Sequence, residues 1–128
     1  MTAILHFEEI EAWKTARELT RYIYALCKQG ALGRDFGLRD QLCRASVSIM
    51  SNIAEGFEDR RSDGTFLNYL AIAKGSAGEV RSLLYVALDC GYIHQEQFDE
   101  AGELSDKCSR QLYNFMKYLK HRPNLCVP

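Results

Sequence analysis

The first 122 residues of this chain contain no proline; the two that occur are Pro123 and Pro128. Such a run is free of the residue that most strongly breaks a helix. Within it, apolar residues recur at intervals of three and four, the spacing of one helix face. From Phe7 to about Gln29, Ile10, Trp13, Ala16, Leu19, Ile23 and Leu26 predict an amphipathic helix of about six turns. Glu8, Glu9 and Glu11 open it and Lys28 closes it, as the helix dipole favours, and Gly30 and Gly33 end it. Further helices are predicted over residues 36–58, 63–90 and 95–121, leaving a loose lead-in at 1–6 and a tail at 122–128. Ser62 reads as the N-cap of the third and Gly91 as its terminal glycine. Four long helices with short connections predict an all-α fold. Its simplest form is one domain over residues 1–128, an antiparallel up-down-up-down four-helix bundle.

The second helix is apolar on more than one side. Leu38, Leu42, Ala45, Ile49 and Ile53 form one stripe, and Cys43, Val47, Met50, Ala54 and Phe57 lie beside it. The apolar arc covers about half the circumference, wider than one core requires. The third helix repeats the pattern. Phe66, Leu70, Ala73, Ala77, Val80, Leu84 and Leu88 form its core stripe, with Ile72, Leu83, Val86 and Cys90 alongside. Val47, Met50, Ala54, Ile72, Leu83 and Val86 are therefore expected to meet a second copy or a partner protein. Gly75 and Gly78 interrupt the third helix. Each costs roughly 1 kcal/mol against alanine, which predicts a close neighbouring helix or, failing that, a ligand against the backbone.

The chemistry that these residues permit is narrow. The histidines are His6, His94 and His121, and no Glu-x-x-His pair exists for a dimetal bundle site. There is no Gly-x-Ser-x-Gly elbow and no phosphate-binding glycine loop. Five cysteines, widely spaced, suit neither a disulfide framework nor a zinc knuckle and argue for a reducing compartment. One polar constellation remains: Arg44, Ser48, Ser51, Asn52 and Glu55 on the second helix, with Ser76 and Glu79 on the third. Glu79 stands among Ile72, Leu83, Val86 and Cys90, so burial would require a partner such as Arg44 or Arg39. A structural network is expected rather than acid–base catalysis, with no metal and no cofactor.

Net charge is −1, which supplies no global attraction to nucleic acid or anionic membrane. No apolar run reaches membrane-spanning length and no charged-then-apolar leader opens the chain, so a cytoplasmic location is expected. The last helix nevertheless segregates its charge, with Glu96, Asp99, Glu100, Glu103 and Asp106 before Lys107, Arg110, Lys117, Lys120 and then Arg122. Dipole complementarity accounts for that order. Lys107, Arg110, Lys117 and Lys120 also share an outer face with Asn114, a basic strip suited to phosphate contacts together with Arg122.

The stretch Arg44-Ala45-Ser46-Val47-Ser48-Ile49-Met50-Ser51-Asn52-Ile53-Ala54-Glu55-Gly56-Phe57 resembles the hallmark of proteins encoded in 23S rRNA intervening sequences, also labelled ribosomal protein S23. Phe7-Glu8-Glu9-Ile10-Glu11-Ala12-Trp13-Lys14, Phe66-Leu67, Ala73-Lys74-Gly75-Ser76, Glu79 and Gly91-Tyr92-Ile93 extend the resemblance over nearly the whole chain. It implies an antiparallel four-helix bundle assembled as a homopentamer, similar in fold to the accessory protein of diversity-generating retroelements. It implies no enzymatic activity. Met50 stands where the family pattern has proline, which weakens an expected kink. His94 replaces a serine cap, which predicts a frayed start to the last helix. The function expected is a non-enzymatic, homo-oligomeric scaffold or adaptor that touches RNA through the basic strip. The alternative is a module that docks a partner protein on the second apolar stripe.

Overall fold

The computed structural model describes residues 3–122, which contain helices, turns and short connections. A 3₁₀ turn at Phe7–Glu9 leads into α1 (Glu11–Cys27), a short α2 (Gly30–Arg34), α3 (Phe36–Glu58), α4 (Asp63–Asp89) and α5 (Gln95–Lys120). The expected tail, with Cys126, lies outside the described residues beyond Arg122.

Contacts between the four long helices give their directions. Thr20 Oγ1 on α1 donates to the Ser46 carbonyl of α3 at 3.1 Å, while the later Cys27 faces the earlier Arg39. Ser48 of α3 meets Ser76 of α4, and the later Phe57 meets the earlier Phe66. Ser105 Oγ on α5 donates to the Ala77 carbonyl at 2.9 Å, with Phe66 against Phe115 and Tyr85 against Phe98 on either side. Cys108 reaches the Ala12 carbonyl and Tyr22 lies by Glu100, closing α5 onto α1. Each long helix thus runs antiparallel to the two it touches, in the circular order α1, α3, α4, α5. Leu19, Ile23, Leu42, Ile49, Ile53, Phe66, Leu70, Val80, Leu84, Leu112 and Leu119 are fully buried between them. Each such side chain contributes about 1.5–3 kcal/mol on leaving water.

The helix ends depart from the periodic reading in physically legible ways. The first helix does not run from Phe7 but starts at Glu11. The Glu9 carboxylate folds back to accept from the His6 and Leu5 amides at 2.8 and 3.2 Å, closing a separate turn. Ile10 then turns extended, with φ −73° and ψ 122°. The lead-in is not loose throughout: Ile4 packs on the core, and the Phe7 ring meets Trp13 edge-on at 5.2 Å. Gly30, at φ +55°, ends α1 as glycine can. The residues after it coil into α2 and bury Leu32 instead of forming a plain connection.

Asp35 caps α3 by accepting from the Leu38 amide at 3.2 Å. Its second oxygen accepts from the Tyr92 hydroxyl at 3.0 Å, joining the start of α3 to the turn after α4. Ser62 caps α4 as predicted, and Gly91 ends it at φ +74°. The start of α5 is not frayed: the Gln97 side chain folds back and accepts from the His94 amide at 2.8 Å, the half of a capping box that needs no serine. Helix α3 passes through Met50 without interruption.

Candidate functional site

Three members of the predicted polar constellation come together where α3 and α4 cross. The Ser48 and Ser76 hydroxyls share a hydrogen bond of 2.8 Å. Asn52 Nδ2 donates to the Ser48 carbonyl at 2.9 Å and lies 3.1 Å from its hydroxyl. Ser51 is half-buried nearby, whereas Arg44, Glu55 and Glu79 are exposed. Glu79 forms no ion pair with Arg44 or Arg39, and exposure removes the need for one. Arg39 instead holds Asp40 at 3.2 Å and the Gly33 carbonyl at 3.2 Å. The close approach expected at Gly75 and Gly78 also falls elsewhere. A Cβ on either would meet nothing within 4 Å, but one on Gly56 would lie 2.6 Å from Tyr69 Cβ.

The second apolar stripe divides in two. Met50, Ala54 and Leu83 are half-buried, and Met50 and Leu83 pack on the edge of this chain's own core. Val47, Ile72 and Val86 stay 38%, 55% and 45% exposed. That is apolar surface on α3 and α4 which no part of the described chain covers.

The basic strip is present in part. Lys107, Lys117 and Lys120 are exposed on α5, and Arg110 is paired one turn back with Asp106. Arg122 leaves the strip because the helix ends at Lys120. Its guanidinium turns onto Tyr118, donating to the hydroxyl at 3.0 Å and lying 5.4 Å above the ring. Sequence reasoning missed a second source of positive charge. A cleft of about 400 Å³ between α4 and α5 is lined by Lys74, Arg81, Asp106, Ser109, Arg110, Tyr113 and Asn114. The seven-residue spacing of Lys74 and Arg81, two helical turns, was the available signal.

The described cysteines are all free. Burial, and then Cys43 beside it, push the Cys27 thiol up to about 12, and burial alone does the same to Cys108. Such thiols are poor nucleophiles at neutral pH. Among the described residues no group of three or more His, Cys, Asp or Glu side chains is placed to hold a metal. The largely apolar cleft of about 480 Å³ between the N-terminal segment and α5 has Glu9, Glu11, Gln111 and Asn114 as its polar lining residues. Gln111 Oε1 is buried without a hydrogen-bond partner.

Residues 8–114 match the model of the 23S rRNA-intervening sequence protein family. The chain belongs to that family. Among solved structures it is similar to a protein of unknown function from the S23 ribosomal protein family of Bacteroides thetaiotaomicron VPI-5482. The two share 26% identity at a TM-score of 0.74, over 83% of this chain and 98% of that one. No functionally curated protein matches. The family match takes in the Ser48–Asn52–Ser76 network and the cleft cations Lys74, Arg81 and Arg110, and it ends before Lys117, Lys120 and Arg122. In this family member, then, the outer half of the α5 strip lies beyond the shared region. Among the described residues, no helix is long and apolar enough to cross a membrane.

Proposed function

We propose that this chain is a non-enzymatic scaffold that self-associates through α3 and α4 and contacts RNA through the basic surface of α5. The observation that carries self-association is the exposed apolar set Val47, Ile72 and Val86. It flanks Gly75, whose open surroundings leave room for a helix from another copy. Burying apolar surface is the dominant drive for association between subunits, and the family resemblance points to five copies. The RNA reading rests on the exposed lysines of α5. A ring would multiply a weak contact several-fold, which suits a chain of net charge −1. The working location is the cytoplasm, where free thiols stay reduced.

Size-exclusion chromatography with multi-angle light scattering, read at 260 and 280 nm, tests both parts. A pentamer is expected, with excess 260 nm absorbance where RNA is retained. Lys117→Glu with Lys120→Glu should then strip the nucleic acid and leave the oligomer intact. A clean monomer overturns self-association and transfers the exposed stripe to a partner protein.

A further inference from the structure

We infer that the α4–α5 cleft binds the phosphodiester backbone of single-stranded RNA. Lys74, Arg81 and Arg110 take the phosphates, and Tyr113 offers a face on which a base stacks. This rests on the RNA reading above and relocates its principal contacts from one helix to a groove between two.

The antiparallel register assembles the site. Ser105 bonds to Ala77, so one turn further along each helix Lys74 comes opposite Ser109 and Arg110. Lys74 and Arg81 stand seven residues apart on α4, and Arg110 and Lys117 stand seven apart on α5. Each pair spans two turns, about 10 Å along its helix. The cleft therefore has two cations on its α4 wall, Lys74 and Arg81, and Arg110 on its α5 wall, with Lys117 two turns further along α5 outside it.

Charge makes the site distinctive. Three cations and one carboxylate, Asp106, line the cleft, in a chain whose net charge is −1. Asp106 is engaged by Arg110, and among the described residues the side chains of Lys74 and Arg81 have no ion pair or hydrogen bond. Nothing in the described chain offsets the charge of Lys74 and Arg81, so the fold gains nothing from placing these two together. An anion would.

The remaining lining selects the kind of anion. Ser109, Tyr113 and Asn114 add hydroxyl and amide donors, the groups that accompany Arg and Lys at phosphates. Tyr113 is 56% exposed beside the cations. A basic groove with an exposed aromatic is the combination that holds single strands without reading sequence. An acidic peptide would use the charge and leave the ring idle. Gly78, on the α4 wall between Lys74 and Arg81, has nothing within 4 Å of where its Cβ would be and keeps that wall low. A neighbouring hollow on α5, which shares Asp106 with the cleft and adds Asp99 and Glu103, is acidic and bounds the site on that side.

The test is fluorescence anisotropy of the full chain with a labelled 12-residue oligouridylate, across 50–200 mM KCl. Lys74→Ala with Arg81→Ala alters only exposed helical positions, and thermal melting confirms the fold. The double variant should bind at least ten-fold more weakly at low salt. Its plot of log affinity against log salt should flatten by about 1.4, or about 0.7 for each lost single-strand phosphate contact. Tyr113→Ala should cost about ten-fold for oligouridylate and nothing for inorganic polyphosphate. If affinity and slope are unchanged in the double variant while Lys117→Glu with Lys120→Glu abolishes binding, the cleft is overturned and the RNA reading stands. If the unaltered chain binds no oligonucleotide, both fall. Equal binding of polyglutamate, with the same dependence on Lys74 and Arg81, reassigns the cleft to an acidic protein and overturns the inference.

Discussion

Gly56 and Tyr69 mark a close crossing of α3 and α4: a Cβ on the glycine would lie 2.6 Å from Tyr69 Cβ and 3.1 Å from the Phe66 ring. The obstacle is the root of a side chain, which rotation cannot move aside. Gly56→Ala should therefore push α3 from α4 and cost about 1–3 kcal/mol, more than the roughly 1 kcal/mol that alanine returns in helix propensity. Gly102→Ala on α5, where a Cβ meets nothing within 4 Å, should raise stability by about 0.5–1 kcal/mol. Thermal melting followed by circular dichroism reads both, and a more stable Gly56→Ala chain would refute the crossing.

Asp35 uses one oxygen for the Leu38 amide and the other for the Tyr92 hydroxyl. Asp35→Ala should lose about 0.5–2 kcal/mol as a cap, with a further loss for stranding Tyr92. The hydrogen bond and the negative charge of Asp35 raise the Tyr92 phenol above its ordinary value. Ultraviolet titration should show one late-ionising tyrosine moving to lower pH in Asp35→Asn. No movement would mean that the two groups do not meet in solution.

The buried thiols make the fold sensitive to alkali. Cys27 and Cys108 are raised from an ordinary value near 9 to about 12, so the unfolded chain releases these protons first. Their contribution is intact below pH 9 and is lost as pH rises towards 12. Denaturant unfolding at about pH 8 and about pH 10.5 should show a fall in stability that shrinks in Cys108→Ala. An identical fall in both proteins would remove Cys108 as a cause.

Gln111 carries a buried oxygen with no partner in a largely apolar cleft. An orphaned acceptor costs about 1–3 kcal/mol. Gln111→Met keeps the length of the side chain and removes that cost, so its melting temperature should rise. A fall would show that solvent or another group satisfies the oxygen.

Much of the fold was legible in the spacing of apolar residues. Leu38, Leu42, Ala45, Ile49 and Ile53 recur at helical intervals, and all five are buried. Ser62 and Gly91 announced the ends of α4 because their chemistry is local. What escaped needed the third dimension. Periodicity gives Glu79 an angle about its helix but not which neighbours cover that angle, and none does. A glycine in sequence does not say where another helix passes, so Gly75 drew the expectation that Gly56 fulfils. The break at Ile10 depends on one carboxylate reaching backwards. Lys74 and Arg81 become a site only when register sets them across from Arg110.

The N-terminal segment has a bearing on the order in which this molecule can be completed. Ile4 lines one cleft with Ile10 and Phe115, and another with Phe57, Phe66, Phe115 and Arg122. These residues belong to the first, second, third and last of the long helices or their flanks. During synthesis, Ile4 emerges more than a hundred residues before Phe115 and cannot reach its resting place until α5 has been made. A segment made before all four long helices is thus among the last to dock. Closing so long a loop is slow.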